Sequence, residues 1–320
     1  MSFAKDAREE VLNNLSESEC CKLAELSAII HSAGEISLSK DKFNVVIKTD
    51  MEGVFYVVND TLKRLYGEYA EIVLDEDVNI SKAVRYIITL PDSCSREVLF
   101  DCGLVRRAGD GALEIINGID EHIVESECCA LSYIKGVFIT SSTASIVIYE
   151  DDENRKFSGY HLEFVFDNEY FADDFSALLF KRGINSKKSR RKKLFVLYIK
   201  EAEQVSDLLA SVGAFKSVLK LQNEITLRQV RNDINRQNNC FNANVTKTVN
   251  ASIKQVQAIN KIKGTIGLQK LPENLRELAE IRLKHPDESL ETLTKFVKGS
   301  TKSGLNHKFR QIIKVAEEIK

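Results

Sequence analysis

Two short segments of this chain, "LSAIIHSAG" at residues 26–34 and "IKGVFITSS" at residues 134–142, are rich in small and apolar side chains and lie 108 positions apart. Each follows a pair of adjacent cysteines, Cys20–Cys21 or Cys128–Cys129. Small side chains allow two helix backbones to approach closely. The pattern predicts two equivalent helices that pack on each other at a pseudo-twofold axis. The alternative is that each helix packs only on its own sheet.

The same order of elements follows each of these segments. Each predicted helix leads to a β-hairpin, a second helix that ends at Gly67 or Gly183, two further strands and a third helix. In the second copy the hairpin is predicted over 144–150 and 160–168. We therefore predict an α+β fold built from tandem α-β-β-α-β-β-α repeats, over residues 1–125 and 126–218.

Residues 219–263 change character, since they are rich in asparagine and contain neither Pro nor Gly. Apolar residues recur there at steps of three and four, which predicts one long helix or two. Asparagine is a poor residue for a helix interior, so its density suggests hydrogen bonding to DNA. A polar contact between domains is the alternative. The DNA-contacting candidates in this helical linker are Arg231, Arg236, Asn239, Asn242, Asn244 and Lys247.

The last segment, residues 264–320, is predicted to form an all-α helix-turn-helix domain. Helices are predicted over 273–285 and 288–297, and a third begins near Ser303 after a turn at Gly299. In a helix-turn-helix, the last helix enters the major groove. Its predicted DNA-facing residues are Lys302, Ser303, Asn306, His307, Lys308 and Arg310. A small helical cap with a solvated charged face is the alternative.

Charge is distributed unevenly along the chain. Residues 1–150 carry 14 Lys and Arg against 26 Asp and Glu, whereas residues 181–320 carry 29 against 13. A basic C-terminal half indicates a polyanionic partner, most often nucleic acid. The stretch "KRGINSKKSRRKK" (181–193) holds eight cations and no acid. It is predicted to be a phosphate-binding arm that includes Lys187, Lys188, Arg190 and Arg191, or alternatively a solvated hairpin tip.

Several other classes of function find little support in the sequence. No apolar run approaches the roughly 20 residues of a membrane span, and the N-terminus lacks the apolar stretch of a signal peptide. We therefore expect a cytoplasmic protein with no membrane partner. The seven cysteines form no CxxC motif and show no zinc-finger spacing, so reduced, half-buried thiols are expected, with a redox or metal role as the alternative. No cofactor is predicted.

The two opening segments resemble the nine-residue motif of LAGLIDADG homing endonucleases, aligned from Leu26 to Gly34 and from Ile134 to Ser142. In that family an acidic residue at the eighth position of each motif holds the catalytic metal. Here those positions are Ala33 and Ser141, which do not supply the charged oxygen ligands that Mg²⁺ prefers. Glu35 lies nearby but has no acidic counterpart after Ser142. The resemblance therefore implies the nuclease fold without the nuclease activity.

The whole order of parts resembles the WhiA family of bacterial DNA-binding proteins, on "NNCFNANVTKTVNASIKQVQAI" (238–259), "LPENLRELAEIRLKHPDESLETL" (271–293) and "KSGLNHKFRQI" (302–312). Phe241 departs from the family pattern, which has a small acidic residue there. The resemblance implies a non-enzymatic, nucleoid-associated transcription regulator that binds promoter DNA and acts in sporulation, cell division and chromosome organisation. Partner candidates are RNA polymerase and other transcription or division proteins. The alternatives are a nuclease with relocated metal ligands and a protein-binding scaffold.

Overall fold

The computed structural model of the chain describes residues 2–39, 42–75, 85–109, 111–145, 159–297 and 299–319. The chain divides into two compact units, Met1–Leu227 and Arg228–Lys320. The first unit contains both predicted repeats, and the second contains the C-terminal helices.

The first repeat places a four-stranded antiparallel sheet beside its helices. The sheet has the order β1-β2-β4-β3. Phe43, Val45 and Ile47 alternate with exposed or half-buried residues along β2, so their side chains form the buried face, as the sequence predicts. The elements are α1 (Phe3–Leu12), α2 (Glu19–Ala33), β1 (Gly34–Ser39), β2 (Lys42–Thr49), α3 (Glu52–Tyr66), β3 (Glu71–Asp75), β4 (Arg85–Thr89) and α4 (Asp92–Asp101).

A small hairpin that the sequence did not predict connects the two repeats. It consists of β5 (Val105–Arg107) and β6 (Leu113–Ile115), followed by a 3₁₀ turn at Glu121–Val124. Both strands have only three residues, and such short strands produce little alternation in the sequence.

The second repeat has the same strand order as the first, β7-β8-β10-β9. The tandem α+β fold is therefore confirmed. The part of the predicted 144–150 strand beyond residue 145 lies outside the described residues. The elements are α5 (Glu127–Ser141), β7 (Ser142–Ser145), β8 (His161–Phe166), α6 (Glu169–Lys181), β9 (Lys187–Arg191), β10 (Leu194–Ile199) and α7 (Ala202–Val212).

The two glycines predicted to end helices do so in both repeats. Gly67 follows α3 with φ of 71°, and Gly183 lies just after α6 with φ of 77°. In both cases the backbone enters the left-handed region, which glycine adopts without steric cost.

One helix, α8 (Phe215–Thr265), covers the asparagine-rich segment. Leu221 near its start belongs to the core of the first unit, whereas Ile259 and Ile262 belong to the core of the second. Between them, every residue from 231 to 251 is exposed, including the apolar ones.

The second unit packs three further helices on the last turns of α8. They are α9 (Glu273–Lys284), α10 (Leu290–Leu293) and α11 (Lys302–Glu318). Leu278, Leu293, Leu305 and Phe309 lie at the centre of this core. The predicted 288–297 helix is regular only over α10. Phe296, predicted to share its apolar face, is half exposed and stacks on His285 at 4.3 Å between ring centroids, because the backbone leaves the helix before it.

Candidate nucleic-acid interface

The axis helices α2 and α5 pack directly on each other, as their small residues predict. A Cβ atom at Gly136 would lie 2.6 Å from the Cβ of Ala28 and 2.8 Å from the carbonyl oxygen of Glu25, so only glycine fits there. Further along the pair, the hydroxyls of Ser32 and Thr140 form a hydrogen bond of 2.6 Å. These two residues are 108 positions apart, so the contact lies on the pseudo-twofold axis.

A histidine and a tyrosine also join the two helices. His31 Nδ1 and the Tyr133 hydroxyl lie 3.0 Å apart, and the imidazole stacks on Phe171 at 3.9 Å between centroids. Burial lowers the pKa of His31 to about 4, so the ring is neutral near pH 7. This group therefore serves the packing of the axis.

The C-terminal ends of the axis helices lack carboxylates at the two positions that hold metal in the endonuclease family. Ala33 offers a methyl group, and the hydroxyl of Ser141 donates a hydrogen bond to the Ser32 carbonyl oxygen at 3.3 Å. The exposed Glu35 carboxylate instead accepts a hydrogen bond of 2.7 Å from Lys48. The two family positions therefore supply no charged oxygen ligand.

Strand register divides the predicted basic arm between two faces of the second sheet. Lys188 and Arg190 pair with Leu197 and Phe195, on the face that α6 covers. The ammonium group of Lys188 contacts Asp173 and Glu169 of that helix, at 2.6 and 3.0 Å. These two cations therefore lie on the helix side of the sheet.

The other two cations of the arm, Lys187 and Arg191, lie on the opposite face because side chains alternate along a strand. The guanidinium of Arg191 donates to both carboxylate oxygens of Glu163, each at 2.8 Å. The Lys187 side chain is exposed. The four predicted residues thus form two pairs rather than one continuous patch.

All six candidates on α8 are exposed, but they do not share one face. At about 100° per residue, Arg231 and Asn242 lie within about 20° of each other, whereas Arg236 and Lys247 lie about 140–160° away from Arg231. Exposed apolar residues, including Ile234 and Val245, occupy a further sector of the helix. One duplex along a straight helix would therefore contact only some of these candidates.

The helix-turn-helix unit contains a buried arginine that the sequence did not single out. Arg282 is only 1% exposed, and its guanidinium lies 5.1 Å from the centroid of the Phe309 ring. Nη1 donates to the carbonyl oxygens of Glu288 at 2.6 Å and His285 at 3.3 Å. Burial lowers the pKa of Arg282. The side chain fixes the turn that leads from α9 into α10.

Helix α11 has one buried face and one outward face. The hydroxyl of Thr301 caps its N-terminus by accepting a hydrogen bond from the Gly304 amide at 3.1 Å. Leu305, Phe309, Ile312 and Ala316 are buried along one side. The outward side is therefore the side turned away from this stripe.

The predicted base-reading residues divide on this basis. Ser303, His307 and Arg310 are exposed and lie within a sector of about 60°, opposite the buried stripe. Asn306 borders this sector, whereas Lys302 and Lys308 lie about 100° and 140° from Ser303, on opposite sides of it. Lys314 shares this sector and Gln311 borders it; both were missing from the sequence prediction, although the buried positions could have identified them.

The start of the axis pair holds a second feature that the sequence prediction missed. The thiols of Cys20, Cys21, Cys128 and Cys129 come together there. The signal was present, because equivalent positions of two helices that pack at a pseudo-twofold axis must lie close together.

Three family models match successive parts of the chain. The WhiA N-terminal LAGLIDADG-like domain matches residues 19–105, the WhiA LAGLIDADG-like domain matches 131–231, and the WhiA C-terminal HTH domain matches 234–316.

Full-length relatives show the same similarity. The chain is 36% identical to "Probable cell division protein WhiA" of Clostridium botulinum, covering 100% of this chain and 99% of that protein. It is 35% identical to the protein of the same name from Thermoanaerobacter pseudethanolicus, with 98% of that protein covered.

A solved structure supports the fold. The full-length DUF199/WhiA from Thermatoga maritima aligns with a TM-score of 0.59 and 24% identity, covering 99% of this chain and 98% of that one. Among the described residues, no helix is both long enough and apolar enough to cross a membrane.

Proposed function

The chain belongs to the WhiA family, and on that premise we propose that it is a transcription regulator that binds promoter DNA sequence-specifically through its C-terminal unit. The helix-turn-helix assignment suggests a DNA-binding regulator. The outward face of α11 carries the proposal, because it presents polar and basic side chains opposite a fully buried stripe.

The outward side chains suit different parts of a duplex. Arg310 can donate two hydrogen bonds to guanine, and Asn306 can pair with adenine in the same way. Lys302 and Ser303, at the N-terminus of the helix, are proposed to contact phosphate oxygens. His307 lies between these groups, and Lys308 would contact only the flanking backbone.

The tandem repeats, over 1–125 and 126–218, are proposed to add duplex contacts without cutting DNA. Support comes from the degenerate LAGLIDADG-like domains and from Ala33 and Ser141 at the former metal positions. The linker, residues 219–263, is proposed to contact DNA through some of its six exposed candidate side chains. The helix-turn-helix domain, residues 264–320, is proposed to bind the same DNA.

The proposed regulator acts on genes of cell division, sporulation and chromosome organisation, in the cytoplasm at the nucleoid. The relatives' name, "Probable cell division protein WhiA", supports the first of these roles. RNA polymerase or another transcription or division protein would then bind the acidic N-terminal half.

The first test is the substitution Arg310→Ala. DNA fragments selected by the full-length chain are used in a binding assay with every base changed singly. The variant is expected to lose about 1–3 kcal/mol of discrimination at one base pair and to bind mismatched DNA almost as well as matched DNA. Lys284→Ala, which removes an exposed cation from α9, is the matched control and should leave base preference unchanged.

Two results would contradict the proposal. Equal loss of affinity on all sequences would make Arg310 a phosphate contact only. Unchanged binding in variants of both α11 and the basic arm would favour a protein-binding scaffold instead.

The second test separates the two faces of the basic arm. Removing Lys187 and Arg191 together should reduce the slope of log affinity against log salt by about 1–2, since each phosphate contact contributes about 0.9. Removing Lys188 and Arg190 should change the slope less, because these two side chains lie on the face of the sheet that α6 covers. An equal effect of both pairs would show that the arm does not bind DNA through one face.

A further inference from the structure

The five residues "ESECC" occur twice, at 17–21 and at 125–129, and each copy leads into the first turn of an axis helix. Ser18 and Ser126 are the N-cap residues of α2 and α5. Both cysteines of each copy therefore lie in the first turn of a helix, and the two first turns come together because the helices pack on each other.

The four sulfur atoms of Cys20, Cys21, Cys128 and Cys129 lie within 4.8 Å of one another. Around a single tetrahedral Zn²⁺, with Zn–S bonds of about 2.3 Å, four thiolates would be separated by about 3.8 Å. Side-chain rotations that move each sulfur atom by a few tenths of an ångström would reach that geometry. In a four-iron cluster each thiolate ligates a different iron, which requires a wider arrangement.

Burial divides the four thiols in the same way in each repeat. Cys21 and Cys129 are only 2% and 7% exposed, whereas Cys20 and Cys128 are exposed. Packing accounts for the buried pair, but it gives no reason for two exposed thiols beside them. The exposed pair would also provide a route by which a metal ion enters.

The surroundings favour the thiolate form of the outer pair. The Ser18 hydroxyl lies 3.1 Å from the Cys20 sulfur, and the Ser126 hydroxyl lies 3.3 Å from the Cys128 sulfur. Both thiols also lie at helix N-termini, where the backbone dipole stabilises negative charge.

We propose that these four cysteines form a structural binding site for one Zn²⁺, which joins the first turns of the two axis helices. Four protein ligands complete a tetrahedral shell and leave no position open for a substrate, which is typical of structural rather than catalytic zinc. Binding forms four Zn–S bonds and releases the protons of those cysteines that were still thiols, with no change in oxidation state. The resulting ZnS₄ group carries a net charge of −2. The site does not depend on DNA binding.

The test uses the reduced, metal-free full chain, titrated with Zn²⁺ in the presence of a competing chelator. One equivalent is expected to bind more tightly than about 10 nM, as structural zinc sites do. Zinc should also raise the midpoint of thermal unfolding by several degrees. Substitution with Co²⁺ should give the visible absorption bands of a tetrahedral thiolate site.

The double variant Cys20→Ser/Cys128→Ser removes only exposed thiols, so the fold should persist while zinc affinity falls at least 100-fold. Cys240→Ser, at an exposed cysteine of α8, is the control and should bind zinc like the parent chain. Equal zinc binding by the double variant and the parent, or no binding by the parent, would overturn the proposal. So would isolation of the protein from reducing cells with cross-helix disulfides, which would identify a redox site instead.

Discussion

Replacing Gly136 with valine is expected to destabilise the first unit by more than about 3 kcal/mol, above the usual range for overpacked sites. A Cβ at this position meets the Ala28 side chain and the Glu25 backbone at 2.6 and 2.8 Å. Because a carbonyl oxygen cannot rotate away as a side chain can, the two axis helices must separate. Valine adds two further methyl groups in the same space.

Chemical denaturation followed by circular dichroism, with hydrogen exchange of the amides of α2 and α5, measures the loss. Gly264→Val is the matched control, since a Cβ at this helical glycine of α8 meets nothing within 4 Å. This control should be neutral or slightly stabilising, because glycine is unfavourable within a helix. If both variants unfold at the same denaturant concentration, the axis helices do not approach each other as described.

The substitution Arg282→Ala is expected to cost the second unit about 3–5 kcal/mol, since it removes a buried charged group from its hydrogen-bonded partners. The carbonyl oxygens of Glu288 and His285 would lose their donor, and a cavity would form over the Phe309 ring. A unit of this size has only a small reserve of stability. DNA binding through α11 should fall in proportion to the fraction of the second unit that is folded.

Thermal unfolding of the full chain and DNA affinity are measured together for this variant. Arg276→Ala, at a half-buried arginine of the same helix, is the control and should change each by little. The variant Arg282→Met keeps much of the side-chain volume but removes the hydrogen-bond donors. Comparing it with Arg282→Ala therefore separates the cost of the cavity from the cost of the lost hydrogen bonds. A fully stable Arg282→Ala protein would contradict the role assigned to this guanidinium.

Local patterns account for the parts of the fold that the sequence predicted well. The alternation of Phe43, Val45 and Ile47 identifies a strand with one buried face, and Gly67 and Gly183 mark helix ends. Leu305, Phe309 and Ile312 indicate the buried side of α11 in the same way. Each of these features can be recognised from residues close together in the sequence. The β5–β6 hairpin was missed because its strands have too few residues to show an alternation.

The candidate site was predicted less completely, because its arrangement depends on residues far apart in the chain. The sequence "KKSRR" (187–191) gives no reason to treat Lys188 and Arg191 differently. In the sheet, pairing with β10 directs Lys188 toward α6 and Arg191 to the opposite face. In the sequence, nothing distinguishes Arg282 from an arginine on the solvent-exposed face of a helix. Only the turn after α9 and the ring of Phe309 show that it is buried.

The sequence by itself determined that two equivalent helices would pack through small residues, because the small-residue segment repeats at a spacing of 108 residues. It also determined that neither helix has a carboxylate at the family's metal-binding position. Only the tertiary structure decided what lies at the other end of that pair. Packing at a pseudo-twofold axis brings equivalent positions together, so two adjacent cysteines in each copy become one group of four sulfur atoms. Proximity of this kind is a property of helix packing and strand register, which no local pattern contains.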